Sequence, residues 1–208
     1  MNLRKRGYLL RSTKYAGQKL FLHKPCKQDG HIQWTMGLFF VLFLGILLFS
    51  QLQLMQYGMT SLYLEDALAA SNLASAVVDL EEYGISHKIL ISDPEQAYKR
   101  YCAAVKGNLN LNEEWECPNK QLIFGAVRIE NYTIYNVAGE EVMIYSVAAN
   151  GQISSIQGKL GNVRAPNGTM IEATSVYSEI SFGVKGLFGI ITEAHKGKLA
   201  DVVSGAEK

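Results

Sequence analysis

The most hydrophobic segment of this chain is an uninterrupted run near the N-terminus. Residues 36–49 contain no polar side chain, and no Asp, Glu, Lys or Arg occurs over residues 30–64. A bilayer core about 30 Å thick needs roughly 20 helical residues. Residues 34–54 supply that length. A segment of this kind is typical of a helix surrounded by lipid, because every backbone polar group is satisfied within the helix.

Two aromatic residues flank this segment. Trp34 precedes the apolar run and Tyr57 follows it, and both residue types are enriched where a membrane meets water. We therefore predict a transmembrane helix over residues 34–57, with Trp34 and Tyr57 as membrane anchors and the lipid bilayer as a partner. The alternative is a buried helix of a soluble protein. It is disfavoured because the rest of the chain is of average polarity and poorly suited to enclose so uniform a rod.

The helical pattern continues beyond the apolar segment. Apolar residues recur at helical spacing up to Tyr83, and Gly84 then predicts a helix stop. We expect one long amphipathic helix, with residues 58–92 as a stalk helix and linker. Several alanines have small side chains, which allow a sheet or another helix to approach this helix closely. The expected partner-helix face consists of Leu62, Ala69, Leu73, Ala76 and Leu80.

A short helix and a series of strands follow. Asp93 and Pro94 predict a helix start, with Asp93 as N-cap and Gln96 as a capping-box partner, and Gly107 predicts its end. From residue 122 the period changes to two, which is typical of strands. Strands are predicted at residues 122–130, 132–137, 141–148, 152–157, 169–174, 176–184 and 187–193, with turns at Ala138-Gly139, Asn150-Gly151, Pro166-Asn167-Gly168 and Lys185-Gly186.

Short connections favour an antiparallel sheet. A sheet with one apolar face needs a cover, and the alanine-rich half of the long helix is the natural candidate. The predicted fold class is therefore α+β: an N-terminal transmembrane helix continues as a long amphipathic helix that packs on an antiparallel β-sheet. Residues 93–208 are expected to form the extracytoplasmic α+β domain.

The charge of the chain changes sign across the apolar segment. Up to residue 29 there are eight Lys or Arg and one acidic residue, a charge of +7, whereas residues 65–208 contain twelve Lys or Arg and eighteen Asp or Glu, a charge of −6. Lys and Arg next to a membrane helix favour the cytoplasmic side. We therefore expect residues 1–33 to form a basic cytoplasmic tail and the C-terminal domain to be extracytoplasmic. Nucleic-acid binding is not expected, because no recognisable fold or aromatic interleaving accompanies the basic tail.

The three cysteines divide between the two sides of the membrane. Cys26 lies on the cytoplasmic side, whereas Cys102 and Cys117 lie outside, where oxidation is favoured. A Cys102–Cys117 disulfide would close a loop of about 15 residues and add about 3 kcal/mol. The alternative is two thiols in a weakly oxidising envelope.

No constellation of residues indicates catalysis. The chain has no nucleophile elbow, P-loop, dinucleotide fingerprint or C-x-x-C pair. Cys102 as a thiol nucleophile is disfavoured, because it falls on the apolar face of a helix and has a disulfide partner available. We expect a protein that is not an enzyme, with no cofactor and no metal site.

The order of parts resembles pilins and pseudopilins, including the TadE-like proteins of bacterial tight-adherence pilus systems. The resemblance lies in Lys27, Gly37, the apolar run at 38–49, the alanine-rich helix at 62–83 and the hairpin region from residue 122. It covers most of the chain and concerns architecture. It implies processing after Gly37, the glycine that precedes the cleaved bond, and incorporation into an envelope assembly. Leu42 occupies the position where the family signature has glutamate.

Two functions remain open from the sequence. The first is a non-enzymatic, membrane-anchored extracytoplasmic subunit of a bacterial surface, pilus-like or secretion assembly. It would act by protein–protein interaction and oligomerise, with itself or another protein, through the small-residue helix. The second is a ligand-binding or sensor module anchored by one transmembrane helix. A pocket lined by several of the following aromatic residues would support this second function: Tyr98, Tyr101, Trp115, Phe124 and Tyr135.

Overall fold

The computed structural model describes residues 29–118, 123–148, 151–186 and 189–202. In chain order its elements are α1 Asp29–Ser75, α2 Leu80–Ser86, α3 Pro94–Asn108, β1 Phe124–Ala138, β2 Glu141–Val147, β3 Ile153–Lys159, β4 Ser175–Lys185 and β5 Ile191–Asp201. The predicted α+β class is confirmed. The chain divides into two compact units, Met1–Leu47 and Leu48–Lys208. The basic tail up to residue 28, and with it Lys27, lies outside the described residues.

Helix α1 contains the apolar segment. In the described part of the chain, Ile32–Ser75 is the one helix long and apolar enough to cross a membrane, and no residue of its most apolar stretch is buried. The exposure of so many large apolar side chains is compatible with a membrane anchor.

The prediction of one helix up to Tyr83 was wrong. Helix α1 ends at Ser75, and Tyr83 belongs to the separate helix α2. The break has a local cause. Val77 and Val78 are β-branched and favour helix less than alanine, and the Asp79 carboxylate then caps α2 by accepting the N–H groups of Glu81 and Glu82. Gly84 lies inside α2 rather than stopping a helix.

Helix α3 begins and ends as expected. The Asp93 carboxylate accepts the N–H of Gln96 at 2.9 Å, and Pro94 occupies the first turn. Ala97, Tyr101 and Val105 form its buried face. The predicted N-cap at Asp93 and the proline at the helix start are confirmed, whereas the capping-box role of the Gln96 side chain stays a prediction.

The five strands form one antiparallel sheet in the order β3-β2-β1-β4-β5. Three strand predictions were wrong. The two predicted strands at 122–130 and 132–137 are one strand, β1, which is irregular near Arg128 and Asn131. The predicted strand at 169–174 contributes only an isolated bridge between Arg164 and Met170. The predicted strand at 187–193 is instead β5, which begins at Ile191.

Parts of three predictions lie outside the described residues. These are Leu122, Asn150 and the pair 187–188. The turns at Gly139 and Gly168 are formed with positive φ values of 69° and 85°, as expected for glycine at tight turns. The prediction of a turn at Lys185-Gly186 also agrees with the structure, because β4 ends at Lys185.

The sheet is covered on both faces. One face packs with α1 and α3 in the main core, which consists of Leu64, Ala67, Leu68, Ile91, Ala97, Tyr101, Val105, Leu109, Ile123, Val127, Tyr132, Ile134, Val147, Val176, Ile180 and Phe182. The other face carries a smaller second core, which consists of Tyr135, Val142, Ala165, Ile171 and Tyr177. Ala165 and Ile171 come from the connection between β3 and β4. This connection includes residues 169–174, which were predicted as a strand, and it partly covers the second face of the sheet.

Candidate interaction surface

Helix α1 packs on the sheet along one stripe of its surface. The sheet-facing stripe consists of Thr60, Leu64, Ala67, Leu68, Ser71, Asn72 and Ser75, all buried. The spacing of three and four residues places these side chains on one helix face. Leu64, Ala67 and Leu68 belong to the main core. The predicted cover for the sheet is therefore present, and it is formed by residues other than those of the expected partner-helix face.

The polar members of this stripe are satisfied largely within the helix. Thr60 donates its hydroxyl to the carbonyl of Gln56 at 2.9 Å, Ser71 to that of Ala67 at 2.7 Å and Ser75 to that of Asn72 at 2.7 Å. A hydroxyl that bonds a preceding carbonyl removes its own burial cost. Small polar side chains therefore serve here as sheet-packing residues.

Asn72 and Ser75 also connect α1 to the strands. The Asn72 amide nitrogen donates to the carbonyls of Val176 at 3.3 Å and Lys198 at 2.9 Å. The Tyr132 hydroxyl donates to the Ser75 hydroxyl at 2.9 Å. These contacts join helix residues to β1, β4 and β5, and they fix which helical turn lies over which strand.

An ion cluster holds α1 to the edge strand β5. The Glu65 carboxylate accepts hydrogen bonds from Lys198 at 2.6 Å and from Lys196 at 3.1 Å, and Lys196 also donates to Ser61 at 3.0 Å. The hydrogen bond from Lys198, followed by that from Lys196, lowers the pKa of Glu65 to about 2. The carboxylate is therefore ionised, and the contact is formed, throughout the neutral range.

The opposite side of α1 remains exposed. Leu62 is 64% exposed and Leu73 is 50% exposed, and Met59 beside them is also exposed. We call Met59, Leu62 and Leu73 the outer stripe. Large apolar side chains grouped on one exposed helix face are a feature of interaction surfaces. The sheet also leaves uncovered Leu52, Leu54 and Met55 before this stripe, and Asp66 and Ala70 between Leu62 and Leu73.

The predicted partner-helix face is only partly a single surface. Leu62, Ala69 and Leu73 lie on α1, but Ala76 follows the end of that helix and packs against the main core. Leu80 lies on α2 and is 79% exposed. The expectation that all five residues share one helix face was wrong, because the helix breaks after Ser75.

The three predicted residues of the membrane segment all lie on α1. Trp34 is exposed, and Gly37 has open space where a side chain would be. Tyr57 is half-buried, and its hydroxyl donates to the carbonyl of Lys185 at 3.2 Å. The roles of Trp34 and Tyr57 as anchors and of Gly37 as a processing site stay predictions.

Cys102 and Cys117 are thiols in this structure, so the predicted Cys102–Cys117 disulfide is not formed in it. Both side chains pack against the main core. Burial raises the pKa of the Cys102 thiol. A raised pKa opposes formation of the thiolate that a cysteine nucleophile requires.

The aromatic residues do not line one pocket. Tyr101 is buried in the main core, where its ring centre lies 4.7 Å from that of Tyr132, and Tyr135 belongs to the second core. Tyr98 and Trp115 line an open groove of about 510 Å³. Among the described residues, no group of three His, Cys, Asp or Glu side chains is placed to hold a metal ion.

The polar sheet-facing residues were not predicted from the sequence. Asn72 and Ser75 were not singled out, because a hydrophobic pattern gives no weight to a buried Asn or Ser. The available signal was the presence of serine within a helical pattern, since a serine hydroxyl can bond the carbonyl four residues earlier, as Ser71 bonds that of Ala67.

Comparison of the chain with protein-family models, with curated proteins and with solved structures finds no match.

Proposed function

We propose that this protein is a non-enzymatic, membrane-anchored subunit of a bacterial surface assembly, pilus-like or secretion-like, that acts by protein–protein contact. Its N-terminal tail lies in the cytoplasm and the unit that carries the sheet lies outside. The proposed orientation follows from the +7 charge before the apolar segment. The resemblance of its order of parts to that of pilin-like proteins supports the assembly role.

One observation carries this proposal. Helix α1 is packed on the sheet on one side and carries the apolar outer stripe on the other. A helix that packs on one neighbour and exposes large apolar side chains on its opposite side is suited to a position between two neighbours. The sheet supplies the first neighbour, and a partner protein is the proposed second.

The ligand-binding or sensor alternative has weaker support. It requires a concave site, and most binding pockets bury the larger part of their ligand. The groove beside Tyr98 and Trp115 is open, and the predicted aromatic pocket is not assembled. A relay through α1 would also serve a sensor, so the two proposals differ in what contacts the outer stripe.

Site-specific photo-crosslinking in the native membrane tests the proposal. The variants are Leu62→benzoylphenylalanine and Leu73→benzoylphenylalanine, and the matched control is Lys99→benzoylphenylalanine on the exposed side of α3. We expect both stripe variants to give adducts that mass spectrometry identifies as this chain or another membrane-anchored envelope protein. Adduct yields from positions 62 and 73 no higher than from position 99 would reject a partner on this face.

A further inference from the structure

Two described residues at the end of the β4–β5 hairpin are apolar and exposed. Ile190 is 66% exposed and Ile191 is 59% exposed. Hairpin ends that face water usually carry Gly, Asn, Asp or Ser, because those residues favour turns and are soluble. Here no residue from 186 to 191 has a polar side chain. Residues 187 and 188 lie outside the described part of the chain, so the structural case rests on Ile190 and Ile191.

This hairpin end lies beside the part of α1 that directly follows the apolar segment 34–54. The Tyr57 hydroxyl donates to the Lys185 carbonyl at 3.2 Å, and Lys185 is paired with Ile191 across the hairpin. Tyr57 follows the apolar segment 34–54 by three residues. The hairpin end is therefore close to the level at which α1 leaves the apolar segment.

The contacts of β5 give a second measure of that level. Lys196 bonds Ser61, and further along the strand the Lys198 carbonyl accepts from Asn72, so β5 runs in the same direction as α1. Ile191 precedes Lys196 by five residues, about 17 Å along a strand. The same distance along α1 corresponds to about 11 residues before Ser61.

The two measures bracket the depth of the hairpin end along α1. The hydrogen bond puts it near Tyr57, and the strand length puts it at about residue 50 of α1. If residues 34–54 span a bilayer, this range includes the outer end of the span. All of these contacts lie within the single unit Leu48–Lys208.

We propose that the β4–β5 hairpin inserts its end into the outer leaflet of the same bilayer that holds α1. The inference rests on the membrane anchoring proposed above. Ile190 and Ile191 enter the apolar side of the interface, and the Lys185 ammonium lies at the level of the lipid phosphates. A cation placed just above an apolar pair suits a lipid surface, because its stem is buried while its charge reaches the headgroups. The protein then has two points of contact with the membrane.

The occupant is lipid because of depth and charge. A side chain at the outer end of a membrane span meets acyl chains and headgroups, and anionic headgroups attract a nearby lysine. A similarly exposed isoleucine elsewhere on the sheet serves as a matched control for Ile190. Ile156 on the edge strand β3 is 64% exposed, close to the value for Ile190, but it lies at the opposite edge of the sheet from β5.

Depth-dependent fluorescence quenching tests the proposal. The full chain with Cys26→Ser, Cys102→Ala and Cys117→Ala receives one new cysteine, by Ile190→Cys, Ile156→Cys or Leu54→Cys. Each variant is labelled with nitrobenzoxadiazole and reconstituted in phosphatidylethanolamine–phosphatidylglycerol vesicles that contain acyl-chain nitroxide lipids. We expect quenching at position 190 to approach that at position 54 and to exceed that at position 156 several-fold.

The three positions separate the two levels of the proposal. Quenching at position 54 with position 190 matching position 156 would overturn hairpin insertion and leave the membrane anchor intact. Absence of quenching at position 54 would overturn the anchor and the insertion together. A second measurement keeps the native cysteines: Ile190→benzoylphenylalanine is expected to give phospholipid adducts under light, and Ile156→benzoylphenylalanine is expected to give none. Equal lipid adducts from both positions, or none from position 190, would also overturn the insertion.

Discussion

Gly183 on β4 lies opposite Phe124 of β1, where the β1 backbone leaves no room for a side chain. A Cβ atom built on Gly183 would be 2.5 Å from the carbonyl oxygen and 3.2 Å from the carbonyl carbon of Phe124. These are backbone atoms, so they cannot move aside as a flexible side chain does. We predict that Gly183→Ala separates the two strands and lowers the free energy of unfolding by about 1–3 kcal/mol, as overpacking does. Denaturant unfolding of the detergent-solubilised chain measures this change.

A second glycine serves as the control. Gly84 lies inside α2 with no atom within 4 Å of an added Cβ. Alanine favours helix over glycine, so Gly84→Ala is expected to stabilise the protein or leave it unchanged, by up to about 1 kcal/mol. A similar loss in both variants would show that the close approach at Gly183 is not the cause.

Asn72 gives a second prediction at the level of single residues. Its amide donates to two strand carbonyls, and the side chain is fully buried. Asn72→Ala leaves those bonds unmade and is expected to cost about 1–3 kcal/mol of unfolding free energy. The exposed Gln157→Ala on β3 is expected to change stability by no more than about 0.5 kcal/mol. An Asn72 variant as stable as the Gln157 variant would contradict the proposed role in fixing α1 on the sheet.

At the scale of elements, the contact between α1 and β5 responds to acid. Glu65 lies beyond the apolar segment, and the bonds from Lys198 and Lys196 lower its pKa from 4.5 to about 2. The folded-state pKa is below that of the unfolded chain, so the stabilisation is present above pH 4.5 and is lost as the pH falls towards about 2. We predict that the stability difference between wild type and Glu65→Gln is largest near neutral pH and shrinks across this window.

Unfolding measured at a series of pH values checks this prediction. The control is Glu140→Gln, which removes a carboxylate paired with Lys159 on exposed surface and leaves α1 untouched. The control is expected to follow the acid profile of the wild type. A stability difference between wild type and Glu65→Gln that stays constant from neutral pH to about pH 2 would contradict the assigned contact.

The helices and turns also show which parts of the fold could be predicted from the sequence. The cap at Asp93 and the turn at Gly139 were predictable, because their residues have strong local preferences. The end of α1 was not, since helical spacing persists through Val77 and Val78 although the helix stops at Ser75. Local propensity defines such elements well only where nothing competes with it.

The packed face of α1 could not be read from hydrophobic spacing for a different reason. Leu62 and Leu73 have the stronger apolar signal, yet they are exposed, while Ser71 and Ser75 are buried. The serine hydroxyls bond carbonyls of their own helix, which lowers the cost of burial. A pattern that scores each residue by polarity alone therefore does not identify the side of α1 that contacts the sheet. Leu62 and Leu73, which were expected on a partner-helix face, remain exposed in the outer stripe.

At the scale of the whole molecule, the uneven distribution of charge predicts how the chain inserts. Four lysines, Lys14, Lys19, Lys24 and Lys27, lie within about 20 residues of the apolar segment on its N-terminal side, the distance over which cations set orientation. No Lys or Arg occurs from residue 55 to residue 75 on the other side. We predict that replacing these four lysines by glutamine produces a substantial fraction of inverted molecules, because the difference that favours one orientation is reduced.

Protease added to wall-stripped cells measures the orientation, since it reaches the sheet-bearing unit only when that unit lies outside. The control replaces four exposed cations of that unit, Lys88, Lys99, Arg100 and Lys159, by glutamine. The nearest of them is more than 30 residues beyond Tyr57, so the orientation is expected to remain that of the wild type. Equal inversion in both variants would mean that total charge, rather than its position beside the apolar segment, decides the orientation. Protection of the sheet-bearing unit in wild-type cells would instead place that unit inside, and it would remove the basis for a surface assembly.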